Sequence, residues 1–539
     1  MDERARNGET RCLARSCHAR RPSIGVLAAC SESRDGHAQH QWLRTMSALL
    51  HANHIGANRP HAQPGSISIM PRANPLTAQI SLPLPRVPGE ARAPAGALRP
   101  RPLTAVPCSS LLVLPAARFI LDLQSNRHSP SPRLRQQITM GSIGLPPKDS
   151  SEIYLTTATP AECEELSRGN SAEWKAALEL ESYLRREKHL ADQDLTRDGG
   201  LTTWVLVWQP CSAADRHVLT GCETIKKRAL VSRDGTVDET VCHGVGSVFC
   251  PPEYRGRGYT GRMISELGDI LKTWQMENDK EHLISALWSD IGKQFYATRG
   301  WHPYASLHIT LPATERPLGA GVHLLKSQDL GQVCAIDEKL MRNRLHARST
   351  NGRITVSFLP DHQTVAWHHA REDFVSKEVL GKSPTVRGAR VGSVWAYWTR
   401  VWADPHGHEL NTLHILRIVI EDERLGADFS PASSAGVEAI NAAAEGRMQL
   451  PGLECSKVAE TKQSIATILA LAQTEAERWG MKEVMLWNPT SLTLAAARQI
   501  DRDVSAVERQ SESIPSLRWY GDGSWENIDW VENMKYAWC

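Results

Sequence analysis

The stretch from Ser247 to Met263, SVFCPPEYRGRGYTGRM, holds the residues most able to do chemistry. A β-rich run enters a turn with Gly256, Gly258 and Gly261, and a helical pattern leaves it. Glycines let backbone N–H groups turn outward and approach a ligand closely. At a helix N-terminus those groups and the helix dipole favour an anion, and the arrangement suits a pyrophosphate. The three glycines also satisfy G-x-G-x-x-G, the spacing of a dinucleotide-binding turn. The arginines inside the turn, the preceding Pro-Pro-Glu-Tyr and two β-rich runs upstream argue against that fold. A Walker A loop is excluded, because no Gly-Lys-Ser/Thr closes the turn.

A second pattern lies about forty residues on. SDIGKQFYATRGW carries Phe295, Tyr296, Gly300 and Trp301 on a short helical stretch. Together the two segments resemble the GCN5-related N-acetyltransferase (GNAT) superfamily. PEYRGRGYTG is similar to its R/Q-x-x-G-x-G/A acetyl-CoA loop: Arg255 and Gly258 match, and Thr260 stands where the family has Gly or Ala. The resemblance implies that the amides of about Arg257–Arg262 hold the pyrophosphate, so that Arg255, Gly256, Arg257, Gly258, Tyr259, Thr260, Gly261 and Arg262 form the cofactor loop. It implies that Val248, Phe249 and Cys250 pair with the pantetheine and orient the acetyl carbonyl. Tyr296 matches the family's tyrosine near the sulfur, a general acid for the leaving thiolate. More closely, the chain resembles fungal lysine N-acetyltransferases. TGCETIKKRALV, SVFCPPEYRGRGYTGRMISEL, LWSDIGKQFYATRGWHPY and SLRWYGDGSWENIDWVENMKYAWC carry this likeness, over roughly Ser151 to Cys539. It implies acetyl transfer from acetyl-CoA to the ε-amine of free lysine. Other acceptors, such as an aminoglycoside, a polyamine or a protein lysine, and a non-catalytic acetyl-CoA-binding scaffold are the rival readings.

An amine must be neutral to attack, so a base or a water chain to one is expected. Many family members carry a Glu on the strand before the loop; the equivalent position here is about Gly244. Its neighbour His243 has a suitable intrinsic pKa, against the bland reading of a satisfied strand histidine. Glu223, beside Cys222, is either the receiver of the lysine ammonium or a solvent-facing strand residue. Asp290 reads as a helix N-cap. The aromatic tail Tyr536-Ala537-Trp538-Cys539 suggests docking, since ends fray unless tied down. By analogy with tandem GNAT enzymes, the carboxylate of Cys539 is a further base candidate; the bland reading closes a core with the tail. His368–His369 and His406–His408 lack accompanying Cys or Asp clusters, and no metal is assigned.

The elements that must position these groups alternate from Ser151 on. A helix is expected over about 172–190, opened by an Asn170/Glu173 capping box. Strands follow at Thr203–Trp208, Val218–Val231 and Val241–Cys250, then the helix Tyr259–Trp274. A strand near Leu283–Trp288, a helix near Lys293–Arg299 and a strand near Leu307–Leu311 complete the first half. The second half repeats strand, strand, helix, strand in Val394–Trp402, Leu413–Ile420, Ile465–Trp479 and Val484–Trp487. Glu421–Thr461 reads as a long insertion. The expected fold is α/β: a GNAT fold with a mixed, mostly antiparallel sheet flanked by helices over 151–320, and a degenerate second GNAT-like domain over 321–539.

Bulk properties narrow the class. A formal net charge of +2 argues against a dedicated nucleic-acid binder. The 12 cysteines are scattered without a C-x-x-C pair, which fits a reducing compartment and no zinc site. No run spans a bilayer. No nucleic acid and no membrane are therefore expected as partners, and the resemblance implies a small-molecule amine, L-lysine. Residues 1–139 are rich in Arg, Pro, His and Ser, and between 41 and 139 the acidic residues are Glu90 and Asp122 alone. They read as a disordered extension ahead of a start at Met140, with a mitochondrial leader as the alternative; the expected location is otherwise cytoplasmic.

Overall fold

The computed structural model describes residues 144–539 apart from 211–215, 277–281, 318, 320, 349–352, 405–406, 408, 427–431 and 446–453. The expectations for residues 1–139 and Met140 lie outside the described residues. In chain order the strands are β1 (Ile153–Thr157), β2 (Leu201–Trp208), β3 (His217–Arg233), β4 (Thr236–Phe249), β5 (Ile284–Ser289), β6 (His302–Pro303), β7 (Leu307–Pro312) and β8 (Val322–Leu325). They continue as β9 (Ile354–Phe358), β10 (Gly388–Val391), β11 (Val394–Val401), β12 (Thr412–Ile420), β13 (Glu483–Trp487), β14 (Val507–Glu508), β15 (Ile514–Trp519) and β16 (Ile528–Trp530). The helices are α1 (Pro160–Trp174), α2 (Leu180–Ala191), α3 (Tyr259–Ile270), α4 (Gln294–Ala297), α5 (Ser327–Arg348) and α6 (His362–Leu380), then α7 (Glu423–Gly426), α8 (Ala432–Glu445), α9 (Cys455–Arg478) and α10 (Ser491–Ile500).

Two sheets form. The nine-stranded one runs β1-β2-β3-β4-β5-β15-β6, with β9 beside the far half of β3 and β16 beside β9. The seven-stranded one runs β14-β7-β13-β12-β11-β10-β8. Most pairs are antiparallel. The parallel exceptions are β4/β5, β12/β13 and β9/β16, and the first two are joined by crossovers through α3 and α9, as parallel neighbours require. Strand, strand, helix, strand thus occurs twice with the same pairing sense. The sheets also trade strands: β7 leaves the first half to pair with β13, and β15 returns from the end of the chain to pair with β5. A division at residue 320 therefore does not separate them strand by strand. Their apolar contents merge as well, since Ile284, Leu307 and Leu517 share a buried cluster with Trp395, Trp398, Ile465 and Tyr536.

One local expectation is corrected. The single helix expected over 172–190 is two helices, α1 and α2. The break falls at Lys175–Glu179, where Ala176 takes φ 51°. The capping box is Thr159/Glu162, with Pro160 at the first helical position, and not Asn170/Glu173. Asn170 instead accepts the Tyr183 hydroxyl at 2.7 Å, tying the two helices together.

Candidate active site

β4 and β5 are paired over His243↔Ser285, Gly244↔Ala286 and Val245↔Leu287, and their pairing stops there. Beyond this point β4 carries a bulge. The register against β3 slips between Gly221 and Glu223, and Ser247 takes φ 51°, a left-handed conformation costly for serine. Val248, Phe249 and Cys250 follow on the diverging arm of the wedge.

The arm leads into the glycine turn. Gly256 has φ 77° and Gly258, the N-cap of α3, has φ 84°. The first amide drawn into the helix is that of Arg262, which donates to the Gly258 carbonyl at 3.1 Å. The amides of Tyr259, Thr260 and Gly261 precede it and have no helical carbonyl to bond. Two cations border this cradle. A Cβ on Gly258 would stand 2.8 Å from Lys148 Cδ, and one on Gly261 would stand 2.6 Å from Arg299 Nη2. Arg299 Nε also donates to the Gly261 carbonyl at 3.2 Å. Neither cation was singled out from sequence.

The remaining loop residues hold its shape. Arg255 donates to the Cys250 carbonyl at 2.9 Å and pairs with Glu173 at 3.4 Å. Tyr259 is buried and its hydroxyl donates to Pro146 O at 2.5 Å. Thr260, at the family's Gly/Ala position, turns its hydroxyl to Thr220, 3.3 Å away on β3. Arg257 is exposed. Arg262 is a correction. Its amide is consumed by the helix, and its guanidinium binds the carbonyls of Lys148, Ser150 and Ile153 at 2.5, 3.0 and 2.7 Å. It anchors the segment before β1.

Strand parity sorts the base candidates. Opposed residues share a face, so Glu223, Ile225 and Lys227 stand with Gly246, Gly244 and Cys242. Glu223 is partly exposed. Desolvation, reinforced by the charge of Glu187, pushes its carboxyl up to about 7 against a hydrogen bond from Ser247 and the attraction of Arg186. The tail lies on the same face. Cys539 Sγ is 2.7 Å from where a Cβ on Gly244 would be, and its main-chain carbon is 3.5 Å from the corresponding point on Gly246. Lys227 Nζ holds the tail by donating to Ala537 O at 2.9 Å and Trp538 O at 3.3 Å. Further up, His368 Nε2 lies 2.9 Å from Tyr536 O, and the Tyr536 hydroxyl donates to Phe358 O at 2.7 Å. Burial pushes the Cys539 thiol up to about 11, so it stays protonated and is a poor nucleophile.

His243 falls on the opposite face and is corrected as a base. Its Nε2 lies 3.1 Å from Gln275 Oε1, and burial depresses its pKa to about 4. Asp290 caps no helix; it accepts the Ser513 amide at 2.8 Å and fixes the approach to β15. Tyr296 packs on the α3 side of the sheet among Val245, Tyr259 and Leu287, and burial drives its phenol well above the ordinary value. It is therefore protonated at neutral pH. His368 and His369 are buried, His369 with Nε2 at 2.9 Å from Trp398 O. His406 and His408 lie outside the described residues. Among the described residues no group of three or more His, Cys, Asp and Glu could hold a metal ion, and no helix is long and apolar enough to cross a membrane.

A mixed sheet flanked by helices, parting between β4 and β5 above a glycine cradle, is GNAT-like, and the comparisons support an N-acetyltransferase of the GNAT superfamily. Within that superfamily it is close to the fungal lysine acetyltransferases. Residues 308–539 match the family described as the LYC1 GNAT-like C-terminal domain, which begins on the exchanged strand β7. A lysine acetyltransferase of Yarrowia lipolytica is 24% identical over 285 residues, covering 45% of this chain and 71% of that protein. An uncharacterised protein of Saccharomyces cerevisiae is 21% identical over 244 residues, covering 38% of this chain and 60% of its own length. Among solved structures, a GCN5-related N-acetyltransferase from Kribbella flavida aligns with TM-score 0.37 at 12% identity, over 68% of this chain and 71% of that one. The N-myristoyltransferase of Saccharomyces cerevisiae with bound myristoyl-CoA aligns with TM-score 0.39 at 9% identity, over 71% and 81%.

Proposed function

We propose that the protein transfers the acetyl group of acetyl-CoA directly to the ε-amine of free L-lysine, as an acetyltransferase of lysine degradation. The observation that carries this reading is the position of Glu223. It faces Gly246 at the mouth of the β4–β5 wedge, with its carboxyl pushed up to about 7. The chain's residues fit acetyl-CoA. The unbonded amides of Tyr259, Thr260 and Gly261, bordered by Lys148 and Arg299, suit the pyrophosphate, and Val248–Cys250 on the open arm suit the pantetheine.

Glu223 receives the lysine ammonium and takes one proton from it, and the carboxylate of Cys539 stands beside it as a second anion. The freed amine forms the C–N bond as the C–S bond of the thioester breaks. Amides of the bulged strand steady the carbonyl oxygen. Tyr296 gives its phenol proton to the leaving sulfur and is reprotonated from solvent; the second amine proton leaves the new amide nitrogen. The protonated Cys539 thiol is no competitor for the acetyl group. The Yarrowia relative's name supports lysine as acceptor.

A thiol-release assay with acetyl-CoA tests the reading over free lysine, a lysine-containing peptide and spermidine. Free lysine should give the highest kcat/KM. Equal or better turnover of the peptide would make protein lysine the acceptor. Acetyl-CoA binding by calorimetry without thiol release from any amine would make the chain a non-catalytic scaffold.

A further inference from the structure

A small pocket is lined by Lys175, Arg186, Arg371 and Arg400, closed by Ala176, Val375, Val401 and Trp402. Four cations and no acid form its wall. Arg186 is 4% exposed and Arg400 1%. Each is partly neutralised. Arg186 Nη2 pairs with Glu187 at 2.5 Å, and Arg400 pairs with Glu372 at 2.8 Å and Glu475 at 2.7 Å. Each nevertheless keeps one buried donor without a partner among the described residues, Arg186 Nη1 and Arg400 Nε. Arg371, on α6, has neither hydrogen bond nor ion pair among the described residues; its guanidinium lies 5.8 Å from the centre of the Trp538 ring. Desolvation, with Arg186 adding to it, lowers its pKa only to about 10, so it stays charged at neutral pH. Buried donors such as Arg186 Nη1 and Arg400 Nε, beside the half-buried charge of Arg371, call for an anionic partner. A carboxylate matches the guanidinium fork.

The pocket adjoins the amine site by two routes. Trp538, under Arg371, precedes Cys539, which lies on Gly244 and Gly246. Glu187, paired with Arg186, also adds its charge to the burial that raises Glu223. Anion-seeking and ammonium-seeking groups are thus linked through Trp538–Cys539 and through the Arg186–Glu187 pair.

We propose that Arg371, with the unbonded donors of Arg186 and Arg400, holds the α-carboxylate of the acceptor and makes it a specificity-determining residue for free amino acids. This rests on the acetyl transfer to a small amine proposed above. The contact discriminates against amines without a carboxylate, because such amines leave the three donors desolvated and unpaired.

The test compares wild type, Arg371→Gln and Arg371→Lys with lysine and with 1,5-diaminopentane, the same chain lacking the carboxylate. Arg371→Gln should raise KM for lysine by about tenfold or more while leaving KM for 1,5-diaminopentane and for acetyl-CoA in place. Arg371→Lys, which keeps the charge, should recover part of the loss. Equal losses for both amines, or no change in KM for lysine, would overturn the assignment. So would competition by acetate or inorganic phosphate that is equally strong against both amines, which would mark the pocket as a site for a separate anion. Calorimetry of lysine on the unliganded proteins reads the same contact without turnover. Binding lost in Arg371→Gln supports the role even if wild type acetylates nothing, an outcome that would sink only the acetyl-transfer reading; unchanged binding sinks the role itself.

Discussion

Cys539 Sγ lies 2.7 Å from the point where a Cβ on Gly244 would stand, with Lys227 Cε 3.6 Å from the same point. The strand position that carries a glutamate in many GNAT enzymes is thus a glycine with the end of the chain packed on it. Gly244→Ala should push the tail off β4. Overpacking of this kind costs about 1–3 kcal/mol, read as a lower denaturation midpoint, together with a loss of kcat. Gly244→Glu should be worse than Gly244→Ala. If it instead raised activity, the tail would have no part in the site.

Glu223→Gln should lower kcat by about 10²–10⁴-fold with little change in KM for acetyl-CoA. In wild type, kcat/KM should rise with pH through about 7 as Glu223 deprotonates, and the mutant should lose that limb. The stability sign runs the other way. A carboxyl raised from 4.5 to about 7 in the folded protein contributes stability that is full below about 4.5 and lost as pH rises through about 7. Urea midpoints of wild type should therefore fall across that window relative to Glu223→Gln.

Gly258→Asp should abolish acetyl-CoA binding in a folded protein. The residue has φ 84°, its Cβ would meet Lys148 Cδ at 2.8 Å, and a carboxylate would face the pyrophosphate. Calorimetry checks affinity and circular dichroism checks the fold. Wild-type affinity in a folded mutant would remove the cradle from the site.

Tyr296→Phe should reduce kcat by about 10²–10⁴-fold while leaving acetyl-CoA affinity within a few-fold. The ring's packing with Val245 and Leu287 survives the change, so the effect reports the hydroxyl. Full activity would leave Tyr296 a packing residue.

Local signals made part of this site legible. The glycine turn, α3 and Tyr296 were readable because each lies within one short stretch whose periodicity and glycine spacing fix its geometry. The start of α1 is encoded in Thr159-Pro160-Ala161-Glu162, but the later Asn170/Glu173 pair has the same spacing and masked it. His243 failed on parity, since neighbours on a strand point to opposite faces and Gly244 shares its face with Glu223. The strand exchange, the Lys227 contacts with the tail and the cations around Arg371 join residues far apart in sequence, up to 311 positions for Lys227 and Trp538. No local pattern encodes such pairs. Gly244 hinted at the tail only by lacking the expected side chain.

The tail can be probed without touching β4. Cys539 rests against Gly244 and Gly246, Lys227 holds the two preceding carbonyls, and Trp538 carries the Lys535 ammonium 4.0 Å from its ring centre. Residues appended after Cys539 would have to pass through the face that Glu223 shares, or else pull the tail out. Either outcome displaces the carboxylate from Gly246. Deleting Cys539 moves it by one residue and empties the space beside Gly244. Both changes should leave acetyl-CoA affinity intact, because the cradle at Gly258, bordered by Lys148 and Arg299, takes no residue from the tail. Both should cut kcat for lysine, the extension by more than the deletion if bulk is the harm, the deletion by as much as the extension if the carboxylate takes part. Calorimetry with acetyl-CoA and steady-state kinetics on the two variants separate these cases. Normal kcat and KM for lysine in the extended chain would leave Glu223 as the base and reduce the tail to packing.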